Sequence, residues 1–66
     1  MTQEEWCGRF VQHMLDRAAP RDHFDDGELI LDYAEATALT YWETEWQREL
    51  GPEECADSDM SYWGEE

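Results

Sequence analysis

Fifteen of the eighteen carboxylates in this chain lie between Asp22 and the C-terminus, where Arg48 is the only Lys or Arg side chain. Carboxylates at this density can hold a divalent cation, share a proton as an acid–base pair, or meet a basic surface through charge-assisted hydrogen bonds. Spacing separates these chemistries. Glu28, Asp32 and Glu35 fall four and three residues apart, and Glu45 and Glu49 four apart, so each set is expected to share a helix face. Like charges placed so destabilise a helix by about 0.2–0.5 kcal/mol per pair, whereas interleaved Lys or Arg would gain a similar amount. The chain leaves that gain unused.

The segment Asp22-His23-Phe24-Asp25-Asp26-Gly27-Glu28-Leu29 resembles part of a calcium-binding EF-hand loop. Its register fails, because taking Gly27 as the invariant loop glycine puts Phe24 and Tyr33 where ligand oxygens are required. His13, His23, Cys7 and Cys55 do not fall at zinc-site spacings. No nucleophile stands beside a base in distinctive context, and no glycine loop suited to cradling phosphate occurs. The reading is a non-enzyme without metal or cofactor, whose carboxylates act by their field. A field this one-sided attracts basic proteins and repels nucleic acids and anionic membranes.

The elements that must position these acids follow from apolar periodicity. Thr2 followed by Glu5 fits a capping box and opens a helix over about residues 3–18. Trp6, Phe10 and Met14 recur every fourth residue with Cys7, Val11 and Leu15 beside them, opposed by Gln12, Asp16 and the arginines. Pro20 ends that helix. A polar connector follows, in which Asp25 or Asp26 is the candidate cap of the next helix and Phe24 its hydrophobic staple. A long central helix is predicted over 28–50, stopped by Gly51 and Pro52, with Leu31, Ala34, Ala38, Trp42 and Trp46 on its inner face, flanked by Ile30, Tyr41 and Leu50. Leu29-Ile30-Leu31 could start as a strand, but a strand without a partner is unstable, so the helix reading is kept. A short third helix over 52–59 begins with Glu53 and Glu54, where the helix dipole favours acids. Met60, Tyr62 and Trp63 are expected to fold back on the core and residues 64–66 to fray.

The expected fold class is therefore all-α, one small three-helix domain. Nine aromatics, four of them Trp, separate a chain of 66 residues and net charge −14 from a disordered acidic tail. The acidic N-terminus lacks the apolar stretch of a secretory signal and no run is long enough to span a membrane, so a cytoplasmic monomer with reduced cysteines is expected. Neighbouring helix carboxylates stand about 5–6 Å apart at Cβ, comparable with successive phosphates along a nucleic-acid strand. The candidate partner-binding acids are Asp25, Asp26, Glu28, Asp32, Glu35, Glu43, Glu45, Glu49, Glu53 and Glu54, and the expected partner is a basic DNA- or RNA-binding protein.

Lys and Asn, whose codons are A-rich, are both missing, which points to a GC-rich bacterial or phage genome. In size, acidity and aromatic content the chain resembles the small phage anti-CRISPR proteins, particularly acidic ones directed against type I surveillance complexes. That resemblance rests on no shared motif and transfers no residue roles. It implies a stoichiometric inhibitor that occupies a DNA-binding surface. Anti-restriction DNA mimics fit the same description. The competing reading is an interaction module, antitoxin-like or subunit-type, that uses exposed aromatics around Tyr62 and Trp63 while its acids only solubilise.

Overall fold

A computed structural model describes residues 1–63; the expectation of fraying at 64–66 lies outside the described residues. Four helices follow one another: α1 (Gln3–Ala18), α2 (Ile30–Glu43), α3 (Glu45–Leu50) and α4 (Pro52–Met60). The class is all-α, as expected. α1 is the centre, with α2 and α4 packed against it and α3 bridging between them.

α1 has the expected bounds. The Thr2 hydroxyl accepts from the Glu5 amide at 3.1 Å, satisfying one of the orphan donors of the first turn. Trp6, Phe10 and Met14 are fully buried against Ile30, Ala34 and Ala38 of α2 and Cys55 and Ala56 of α4. Alanine at the middle of α2 lets the two helices approach, and the aromatic rings fill the remaining space. Trp6 stacks on Phe10 at 5.9 Å and meets Trp42 edge-on at 5.8 Å, while Phe10 lies 5.5 Å from Tyr41. Truncating Phe10 to Ala would cost about 3–5 kcal/mol, a large share of what so small a core can supply.

The predicted long helix over 28–50 is two helices, and the correction has a local cause. Thr44 adopts an extended backbone (φ −93°, ψ 110°), and its amide donates to Tyr41 O instead of continuing the α-helical ladder. The hydroxyls of Thr40 and Thr44 both bond the carbonyl four residues back, at 3.5 and 3.3 Å, a pattern that bends helices. Thr44 O then accepts from Arg48 N at 2.9 Å and opens α3.

The start of α2 also differs from expectation. Glu28 is not helical: its amide donates to Asp26 Oδ1 at 3.0 Å and its carbonyl accepts from Phe24 N at 2.8 Å. Asp26 therefore closes a turn and does not cap α2, whose first amide, that of Ile30, donates instead to Asp22 O at 3.0 Å. Leu29 pairs with His23 in one isolated antiparallel bridge, so the strand-like reading of this segment survives only at that residue. Gly27 takes φ +95° in the turn, a left-handed backbone that L side chains resist.

The inner face of α2 keeps Ala34, Ala38 and Trp42 as expected and differs at its first residue. Ile30 is buried in place of Leu31, which is 42% exposed, and Trp46 and Leu50 face outward from α3. α4 starts with Pro52 at its first turn as predicted and runs one residue further, to Met60. Trp63 folds back on Phe24 and Tyr33, whereas Tyr62 stays exposed.

Candidate partner-binding surface

Every arginine is engaged within the chain, and their partners divide the acids into two kinds. On α1, Arg9, His13 and Arg17 recur every fourth residue along the flank that meets α4. Arg9 Nε donates to Glu53 Oε2 at 3.0 Å, His13 Nε2 bonds Asp57 Oδ1 at 2.8 Å, and Arg17 Nη1 lies 4.0 Å from the same oxygen. An acceptor-only carboxylate requires that His13 Nε2 carry the hydrogen. Glu53 and Asp57 are thus structural, one helical turn apart on α4. Arg21 Nη2 reaches Asp25 at 3.3 Å, and Arg48 lies over the Trp42 ring at 4.8 Å, paired with neither Glu45 nor Glu49.

The candidate acids fall into three groups. Asp32, Glu35 and Glu43 on α2, with Glu45 and Glu49 on α3, are exposed and have no ion-pair partner among the described residues. Asp32 and Glu43 lie within about 20° of each other around the helix axis, since eleven residues make just over three turns. Asp25, Asp26 and Glu28 form a second group in the connector, beside Phe24. Glu53 and Glu54 begin α4, and of these Glu53 is committed to Arg9 while Glu54 is exposed. The expectation that Glu28 shares a helix face with Asp32 and Glu35 does not hold, because the Asp26–Gly27 turn ends before α2 begins.

Apolar side chains interrupt the α2–α3 acids. Leu39 stands on the same helical row as Glu35 and Glu43, and Trp46, adjacent to Glu45, is 65% exposed. Sequence reasoning placed Trp46 in the core. The break at Thr44, which carries no Gly or Pro signal, turned it out.

Asp59 has a different environment. It is half-buried and accepts from the Tyr33 hydroxyl at 2.7 Å and the Tyr41 hydroxyl at 3.2 Å. Burial first, and then the neighbouring Asp59 carboxylate, pushes Tyr41 up to about 12; the same two influences raise Tyr33. Periodicity gave no hint of this contact, since it joins the outer flank of α2 to the end of α4.

Cys7 and Cys55 are unpaired thiols, Cys7 half-buried and Cys55 buried with Sγ donating to Gln47 O at 2.9 Å. Among the described residues no three His, Cys, Asp or Glu side chains gather as a metal-binding group, and no helix is long and apolar enough to cross a membrane. No family model matches the chain, and neither a curated protein nor a solved structure matches it.

Proposed function

We propose that this chain is a stoichiometric inhibitor that occupies a basic nucleic-acid-binding surface of a protein partner, its α2–α3 face standing in for a row of phosphates. The observation that carries this reading is the disposition of the cations. Three arginines are spent on Glu53, Asp57 and Asp25, and Arg48 lies on Trp42, so Asp32, Glu35, Glu43, Glu45 and Glu49 face solvent without a counter-charge of their own. A partner's Arg and Lys would supply it, and the attraction would speed encounter. The longest dimension of the domain, 32 Å, is close to the roughly 34 Å of one duplex turn, so one copy is large enough to cover a duplex-binding groove. The target class we propose is a type I CRISPR surveillance complex at the surface that receives target DNA. Catalysis forms no part of this reading.

The test is binding of the tagged protein to a purified type I surveillance complex, titrated with salt and with competitor duplex DNA. Wild-type binding is expected to weaken steeply as salt shortens the screening length to about 8–10 Å, and to be displaced by the DNA. Asp32→Arg with Glu35→Arg should lose most of the inhibition with the helical spectrum intact. Full activity in that double variant removes the α2 face from the contact.

A second reading has its own observation. Trp46 and Tyr62 are 65% and 74% exposed, and Trp and Tyr are the residues that anchor interfaces most often. An interaction module of the antitoxin or subunit type would bind through them, would be indifferent to salt, and would fail on Trp46→Ala or Tyr62→Ala while tolerating the double charge reversal.

A further inference from the structure

At the end of the domain opposite the Trp6–Trp42 contact, three rings meet at a corner. Phe24 lies 5.2 Å from Tyr33 and 5.0 Å from Trp63, Tyr33 lies 5.9 Å from Trp63, and the interplanar angles are 79°, 80° and 71°. The rings are half-buried and line an open cavity of about 460 Å³ with Asp25, Asp26, Glu28 and Arg21 around it. Aromatic walls and a carboxylate rim are the two halves of a cation receptor. Ring faces carry the negative part of the quadrupole, and carboxylates beside them accept the N–H groups that the rings cannot.

The site is built before any ligand arrives. Phe24 N donates to Glu28 O at 2.8 Å and Gly27 N to Phe24 O at 2.9 Å, while Asp26 Oδ1 accepts the Glu28 amide at 3.0 Å, so the rim rests on a closed turn. The Tyr33 ring is held from behind by its hydroxyl bond to Asp59 at 2.7 Å. The chain also supplies an internal indication of ligand type. The Arg21 guanidinium lies 5.9 Å from the Phe24 centroid and 3.3 Å from Asp25, which is to say on one wall and one rim carboxylate of this cavity. Its Nε is held by His23 O at 3.1 Å, so it remains at the edge and leaves the cavity volume open.

We propose that this corner receives one arginine side chain of the basic partner, its guanidinium plane stacked on the Trp63 ring, which Phe24 and Tyr33 meet edge-on, and its N–H groups on Asp25, Asp26 and Glu28. The proposal rests on the reading that the partner surface is basic, and adds a discrete anchor to a diffuse field. Arginine fits better than lysine because a planar guanidinium stacks on a ring while still donating in its own plane, whereas an ammonium is a compact and strongly hydrated point charge.

The experiment uses no partner, so its failure is distinct from failure of the inhibitor reading. The ¹⁵N-labelled protein is titrated at low salt with the blocked tripeptides Gly-Arg-Gly, Gly-Lys-Gly and Gly-citrulline-Gly. Citrulline keeps the shape of arginine without its charge. The expected result is a saturable shift of the Trp63 indole N–H and the Phe24–Glu28 amides by the arginine peptide, several-fold weaker binding of the lysine peptide, and no response to citrulline. Arg21→Gln, which removes the internal competitor, should tighten the arginine peptide several-fold, and Trp63→Leu, which keeps every charge, should abolish the saturable shift. Non-saturating shifts spread over α2 and α3, or an unchanged response in Trp63→Leu, would overturn the proposal. If Trp63→Leu does not fold, Glu28→Gln together with Asp25→Asn supplies the same decision: unchanged affinity overturns it and a several-fold loss supports it.

Discussion

The Tyr33 hydroxyl donates to Asp59 Oδ2 at 2.7 Å, joining α2 to the last turn of α4, and the same carboxylate accepts from Tyr41, about two helical turns further along the same row. Both phenols must stay protonated to donate. Burial and the Asp59 charge hold Tyr41 near 12 and raise Tyr33, against an unfolded value of about 10. A group whose folded pKa is raised contributes stability that is complete below its unfolded pKa and is lost as pH climbs through the folded one. Denaturation midpoints are therefore expected to fall as pH climbs from about 10 toward about 12, on top of the earlier and smaller loss from the raised thiols of Cys7 and Cys55, the fall above about pH 10 being shallower in Tyr41→Phe. An equally steep fall in that variant would sink the assignment.

Gly8 occupies the interior of α1, and a Cβ built there meets nothing within 4 Å. A glycine in a helix costs about 1 kcal/mol relative to alanine, chiefly through backbone freedom in the unfolded chain. Gly8→Ala should accordingly stabilise by about that amount and raise Tm by several degrees. A lower Tm in thermal melts would mean that α1 is strained at this point in a way its open surroundings do not suggest. By contrast Gly27 and Gly51 have φ of +95° and +103°, so alanine at either should destabilise despite equally open space.

The two thiols should be distinguishable in the native protein. Burial raises both, and at Cys55 the neighbouring Glu54 charge adds to it, so neither is a reactive thiolate near neutral pH. Cys7 is accessible at the α1 surface, whereas Cys55 is 1% exposed. Alkylation followed by mass spectrometry at mild alkaline pH should label Cys7 slowly and Cys55 only in denaturant. Equal labelling rates would show that α4 opens readily from α1.

The all-α class, the limits of α1 and the start of α4 were legible because each rests on a local rule: a four-residue apolar period from Trp6 to Met14, a Thr2 cap, and a Gly51-Pro52 stop. The break at Thr44 was not, since threonine is tolerated within helices and only the bend made with Thr40 shows its effect. The inner face of α2 was legible at Ala34, Ala38 and Trp42 but not at its first residue, because Leu29-Ile30-Leu31 offers consecutive apolar residues and Ile30, not Leu31, is the one buried. Of the candidate acids, periodicity could group Asp32 with Glu35 and Glu45 with Glu49. It could not separate Glu53, which neutralises Arg9, from Glu54, which does not, because that difference is tertiary.

α3 contributes no fully buried residue, and its place depends on backbone carbonyls that other helices hold. Trp6 Nε1 donates to Arg48 O at 3.1 Å, Cys55 Sγ to Gln47 O at 2.9 Å, and Arg48 itself lies over Trp42. Trp6→Phe keeps an aromatic ring in the core but removes the N–H, costing about 1 kcal/mol for the hydrogen bond and more for the lost ring volume. The bond's share should be felt locally. At matched global stability, amide exchange is expected to accelerate most from Glu45 to Gly51 and least in α1. Under that condition, uniform loss of protection across all four helices would show that Trp6 acts through core volume alone and that α3 is held by Cys55 and Arg48. Selective loss in α3 would identify the Trp6–Arg48 bond as the tether that holds α3, and with it Glu45, Trp46 and Glu49, in place.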